Sequence, residues 1–135
     1  MEGSGTELVE RLFDCFNRRD EDCIQAVCDE EMAFFPIVTA EAVGRVAPYV
    51  GPAGLREYMD DVDEVWEELQ ISPGTLEWRG SVVLVRGRVY ARSRELGIRD
   101  LPVAWIWEVR NGLFILGEVY PDPEEAVTRF AAVAV

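Results

Sequence analysis

The feature that most constrains this chain is a change of hydrophobic period after Ser72-Pro73-Gly74. Before that point apolar residues recur every three or four positions, as on a helix. After it they alternate or run together, as in strands. The rear half predicts strands over residues 75–78, 81–93, 101–110 and 113–120, with a turn at Arg79-Gly80. Asn111-Gly112 separates the last two by the dipeptide that best accepts the positive φ angles of a two-residue hairpin turn.

The front half predicts three helices. Thr6 caps the first, over residues 6–18, with Leu8, Val9, Leu12, Phe13 and Phe16 in one stripe. Asp20 opens a short second helix, and Met32 to Ile37 forms a strand that Pro36 marks as an edge. A loop rich in Gly and Pro follows. In the third helix Leu55, Tyr58, Met59, Val62, Val65, Trp66 and Leu69 trace one face. Its acids, Asp60, Asp61, Asp63, Glu64, Glu67 and Glu68, fan outward and read as a solvated face, not a cation site. Asp122-Pro123-Glu124-Glu125 opens a C-terminal helix. Helices followed by antiparallel strands give an α+β fold, in one domain over residues 6–135 behind a flexible segment, residues 1–5.

Composition then removes chemistries. The 135 residues carry 26 acidic and 13 basic side chains, a formal charge of −13, which disfavours nucleic acid and membranes as partners. All thirteen basic residues are Arg. Without His there is no Ser-His or Cys-His nucleophile, imidazole base or His-ligated metal; without Lys there is no Schiff base. Acid–base chemistry is left to Asp, Glu, Tyr or Cys, and no metal or cofactor is implied. Cys15, Cys23 and Cys28 lack C-x-x-C spacing and read as small apolar filler on two helices. The opening Met1-Glu2-Gly3-Ser4-Gly5 lacks the basic start and apolar run of a secretory signal, which predicts a cytoplasmic location.

Strand faces sharpen the picture. Val103, Trp105, Trp107 and Val109 share one face and Ala104, Ile106, Glu108 and Arg110 the other; residues 113–120 are apolar on both. One face must pack the helices. The other needs cover, and a second copy of the chain, giving a homodimer through the sheet, is the simplest one. Arg86, Arg88, Tyr90 and Arg92 share a face. They either aim an arginine at a ligand carboxylate or enolate oxygen, or pair across strands with acids such as Glu108 or Glu118.

Three stretches carry a family likeness. Arg18-Arg19-Asp20 followed by Asp29-Glu30-Glu31-Met32-Ala33-Phe34-Phe35 resembles the opening of SnoaL-like domains of the nuclear transport factor two-like superfamily. Pro48-Tyr49-Val50-Gly51-Pro52-Ala53-Gly54-Leu55-Arg56-Glu57-Tyr58 resembles their loop into the third helix. The stretch from Leu101 to Gly112, with Val119-Tyr120-Pro121-Asp122-Pro123, resembles their final hairpin and exit. The likeness spans about residues 7 to 130. It implies a cystatin-like cone or α+β barrel: a curved, mostly antiparallel sheet wrapped by N-terminal helices, usually dimeric, with a pocket between the two.

Relatives of this kind include ketosteroid isomerases, polyketide cyclases and epoxide hydrolases, and fold alone does not choose among them. The isomerase base, oxyanion Asp and Tyr fall here on Phe35 and near Trp105 and Leu12, all apolar. The limonene-type hydrolase arginine falls on Arg86 or Arg88, its partner on Arg88 or Tyr90, and its second acid on Val119, so both carboxylates are missing. An unpaired Arg cannot serve as a base. Among nearby acids Asp122 caps a helix, Glu118 points away from Val119, and Glu41 lies in a loop at the pocket mouth. Arg88, Tyr90 and Glu41 are therefore the remaining catalytic candidates. The expected pocket lining is Phe16, Phe35, Tyr58, Trp66, Trp105, Trp107 and Val119, suited to a flat apolar small molecule. The alternatives are a cyclase, isomerase or hydrolase with a carboxylate at a non-standard position, and a dimeric interaction module without catalysis.

Overall fold

The computed structural model describes residues 2–36, 39–40 and 43–133. The order of elements is α1 (Glu2–Asn17), α2 (Glu21–Ala26), β1 (Cys28–Phe35), β2 (Tyr49–Val50), α3 (Gly51–Val65), β3 (Glu68–Arg79), β4 (Val82–Ser93), β5 (Gly97–Arg110), β6 (Leu113–Tyr120) and α4 (Pro123–Ala131). The fold is α+β. Six strands form one open sheet in the order β2-β1-β6-β5-β4-β3. Every pairing is antiparallel except β1 with β6. The sheet does not close into a barrel; β2 and β3 are its edges. Among the described residues no helix is long and apolar enough to cross a membrane.

Several boundaries differ from the sequence expectation, each for a physical reason. Helix α1 starts at Glu2 and not at Thr6, taking in residues expected to be a flexible segment. Gly5 lies against the Trp78 indole so closely that a Cβ there would sit 2.6 Å from the ring, so this first turn is docked on β3. Helix α3 ends at Val65. Trp66 has left helical geometry (φ −112°, ψ 129°), and Leu69 belongs to β3 although both side chains stay buried on the side the helix faces. Strand β3 runs straight through Ser72-Pro73-Gly74, which reads as a breaker. It tolerates Pro73 because it is an edge strand and bulges between Pro73 and Thr75. Opposite the bulge, a Cβ on Gly87 would fall 2.0 Å from the Ser72 carbonyl oxygen; only glycine admits that approach.

The C-terminus of α1 turns by a left-handed residue, Arg19 (φ 56°), where glycine is usual. Its backbone N–H donates to the Phe16 carbonyl and that of Asp20 to the Cys15 carbonyl, both at 3.0 Å, closing the helix end. The Arg19 guanidinium offsets the strain by donating to the Phe16 and Leu69 carbonyls, each at 2.9 Å. Asn17 anchors the same corner to β3: its side chain donates to the Ile71 carbonyl at 2.7 Å and accepts from the Ile71 N–H at 2.9 Å. Cys15 and Cys23 are joined in a disulfide linking α1 to α2, so two of the three cysteines are not filler; Cys28 is free and buried. Sequence spacing missed the bond because the α1–α2 turn, not the interval along the chain, brings the two together.

The main core lies between α1, α2, α3 and the concave sheet face, centred on Val9, Phe13, Met32, Val62, Val85 and Phe114. Phe114 reaches this face although Leu116, Glu118 and Tyr120 share its sequence parity. A register shift between Glu108 and Val109 flips the parity at the start of β6. A second cluster covers part of the convex face. There α4 lays Ala126 and Phe130 on Val82, Leu84, Ala104 and Ile106, so the chain's own C-terminal helix supplies part of the cover assigned to a second copy. Asp122 caps α4, accepting from the Glu124 N–H at 3.0 Å.

Candidate functional site

A cavity of about 70 Å³ lies between the concave face and the helices. Helix α1 contributes Leu12, Phe13 and Phe16 because residues four apart stand on one face of a helix. Strand β1 contributes Met32 and Phe34, β5 contributes Trp105 and Trp107, and α3 contributes Leu55, Tyr58 and Met59. Aromatic rings pack against one another in the wall. Phe16 stacks on Tyr58 at 5.8 Å, Phe34 stacks on Trp107 at 5.6 Å, and Phe34 meets Tyr58 edge-on at 4.9 Å.

One end of this cavity is polar. The buried Thr39 hydroxyl accepts from the Trp66 indole N–H at 3.1 Å and lies near the Tyr58 hydroxyl. Burial holds the Tyr58 phenol well above its ordinary pKa of 10, and the Arg19 charge and the Thr39 hydroxyl only partly offset this. Burial likewise pushes the Cys28 thiol up to about 12. Among the described residues no Asp, Glu or Arg lines the cavity. The lining groups that titrate are a phenol and a thiol, both neutral at ordinary pH. Trp66 also borders an open cleft on the outside, lined by Asp61, Asp63, Glu64, Glu67, Arg94 and Glu95, so its indole stands between the cavity and solvent.

The structure brings Phe16, Tyr58, Trp66, Trp105, Trp107 and Val119 to this cavity. Phe35 is not there. It is half-buried on the convex side, and its neighbour Phe34 takes the inner position. Two adjacent Phe residues give no alternation to read, and only the pairing of β1 with β6, Phe34 opposite Gly117 and Phe35 opposite Glu118, sets which points inward. Arg88 and Tyr90 are also on the convex side, because Val85, Val89 and Ala91 take the inner face of β4. Arg88 is exposed and pairs with Asp100 at 3.1 Å, which is cross-strand pairing with an acid other than Glu108 or Glu118. Glu118 accepts from the Tyr120 hydroxyl at 3.0 Å, on the side away from Val119. Glu41 lies outside the described residues. The sequence reading missed Phe13, Phe34 and Thr39; the first was legible from the α1 stripe, and the others depended on tertiary placement.

The SnoaL-like domain family matches residues 9–116. The chain belongs to this family. No curated protein matches it. Among solved structures, a nuclear transport factor two-like protein of unknown function from Burkholderia pseudomallei superposes with a TM-score of 0.79 at 17% identity, covering 96% of this chain and 98% of that one. TerC, co-crystallised with polyporic acid, gives 0.79 at 19%, covering 96% and 99%. A putative polyketide cyclase from Xanthomonas campestris pv. campestris gives 0.74 at 18%, covering 98% of each chain. An epoxide hydrolase of Mycobacterium tuberculosis similar to limonene epoxide hydrolases gives 0.69 at 14%, covering 96% and 92%. At these identities the likeness establishes the shared fold, and the chemistry must come from this chain's own residues.

Proposed function

We propose that this SnoaL-like domain binds a small, mostly apolar molecule bearing one oxygen or nitrogen. The observation that carries the reading is the lining itself: an apolar, aromatic-rich cavity with Tyr58, Thr39 and Trp66 at one polar end and, among the described residues, no carboxylate in its wall. An isomerase, cyclase or epoxide hydrolase needs a proton carrier poised near neutrality. A phenol and a thiol raised by burial cannot serve as bases there. TerC, a protein of similar fold, was co-crystallised with polyporic acid, which supports the reading.

Size narrows the class. By this measure a cavity needs roughly 10–15 Å³ for one water, so about 70 Å³ holds several waters or a small organic group. The test is thermal denaturation against neutral compounds of graded size, from phenol and indole to steroids. A ligand at about one hundred times its Kd adds roughly 2.7 kcal/mol. Stabilisation that peaks at small ring compounds and weakens in Tyr58→Phe supports the proposal. No stabilisation by any compound overturns it, and turnover of an epoxide or a steroid enone would reinstate the enzyme reading.

We also propose that two copies associate through the part of the convex face that α4 leaves uncovered, where Phe35 and Leu116 are half-buried. A monomeric mass by light scattering at micromolar concentration overturns this.

A further inference from the structure

The cysteine pair stands at the cavity wall. Cys15 is followed by Phe16 and Cys23 by Ile24, and both followers line the cavity. The disulfide thus ties together the two backbone positions from which one side of the cavity hangs. The Cα atoms are 5.6 Å apart, within the range a disulfide requires. Backbone hydrogen bonds from Asp20 to Cys15 and from Ile24 to Asp20, with the Asp20 carboxylate accepting from the Cys23 N–H at 3.1 Å, brace the same turn beside the bond.

The two sulfurs are unequal. Cys15 is fully buried, whereas Cys23 is half-buried and open to attack. Arg18, itself held by Asp14 at 2.9 Å and Asp20 at 3.4 Å, places its guanidinium 3.5 Å from the Cys23 sulfur and 4.0 Å from that of Cys15. A cation at this distance favours thiolate over thiol, the form that takes part in exchange.

We propose that Cys15–Cys23 is a reversible redox clamp that fixes the α1–α2 corner and thereby the shape of the cavity. The coupling to the cavity rests on the binding reading above. The reductant is a small thiol or a dithiol protein. Its thiolate attacks the Cys23 sulfur and breaks the bond to Cys15, whose thiolate takes up a proton. A second reductant thiol then displaces Cys23 from the mixed disulfide. The sum is two RSH oxidised to RSSR while the disulfide is reduced to two thiols; oxidised glutathione drives the reverse. Cys28, buried on β1, takes no part.

The test uses the whole chain carrying Cys28→Ala, so that every thiol counted belongs to the pair. After oxidised glutathione no thiol should react with iodoacetamide, and after dithiothreitol two should. Amide exchange of peptides within residues 12–28 should quicken by about threefold or more on reduction, with the strands unchanged. The double variant Cys15→Ser/Cys23→Ser should behave as the reduced form whatever the redox state. Thiols that persist in oxidised glutathione, equal exchange in both forms, or acceleration spread over the whole chain each overturn the clamp. Indole, one of the small ring compounds this cavity has room for, then reports on the cavity by titration calorimetry. A Kd differing by about threefold between forms supports the coupling and an equal Kd overturns it. Failure to bind in either form overturns the binding reading instead, and the exchange result still decides the clamp.

Discussion

Replacing Gly117 by alanine probes how tightly the aromatic wall is packed behind the cavity. Gly117 lies on β6 opposite Trp107 on one side and Phe34 on the other. A Cβ built there falls 2.2 Å from Trp107 Cζ3, 2.6 Å from Cε3 and 3.0 Å from Phe34 Cδ1. Carbon atoms rest at about 3.5 Å or more, so the indole must retreat by more than one ångström. Phe34 stacks on it at 5.6 Å and Phe114 abuts it at 5.3 Å, which blocks movement that way. The empty volume at hand is the cavity itself, about 70 Å³. Overpacking of this kind costs about 1–3 kcal/mol. For a chain of this length that lowers Tm by roughly 3–10 °C, measured by circular dichroism. Because the Trp107 ring moves into the cavity, the same variant should bind indole more weakly. A variant that melts within about 1 °C of the parent would refute the close packing of Trp107 on Gly117.

Asn17→Ala removes both side-chain bonds to Ile71 and should cost about 1–3 kcal/mol in urea denaturation; an unchanged midpoint would mean that α1 does not need this anchor on β3. Asp122→Ala should cost about 1 kcal/mol by removing the α4 cap, and dye binding should rise as Val82, Leu84 and Ile106 become exposed. Stability should fall as the solution is made alkaline. The Cys28 thiol ionises near its ordinary pKa of 9.0 when unfolded but at about 12 when folded, so its contribution is complete below 9 and lost as pH rises from 9 towards 12. The slope is about 1.4 kcal/mol per pH unit for one proton. Cys28→Ala should flatten it between pH 9 and 10, below the range where the buried tyrosines add theirs, and an identical slope in parent and variant would count against a buried neutral thiol.

Much of this architecture is written in local pattern. The Asn111-Gly112 turn and the Asp122-Pro123 helix start depend on near neighbours alone, and each falls where expected, whereas the switch from helix to strand comes earlier than Ser72, with β3 already begun at Glu68. The strong stripes of α1 and α3 are equally local, which is why Phe16 and Tyr58 were legible as inward-facing residues. The absence of His and Lys, and hence of imidazole and Schiff-base chemistry, is a property of the composition and needs no structure.

What the tertiary structure decided are the contacts between segments far apart in sequence. Phe34 rather than Phe35 faces inward because β1 joins β6 in a parallel register that no pattern of two adjacent rings specifies. Phe114 turns inward because a register shift in the hairpin reverses the parity of β6. Pro73 survives inside a strand only because that strand lies at the sheet edge. Arg88 meets Asp100 across a hairpin, and Cys15 meets Cys23 across a helix corner. Propensity and periodicity act over a few residues. Register, edge position and side-chain pairing are set by which segments the folded chain brings together.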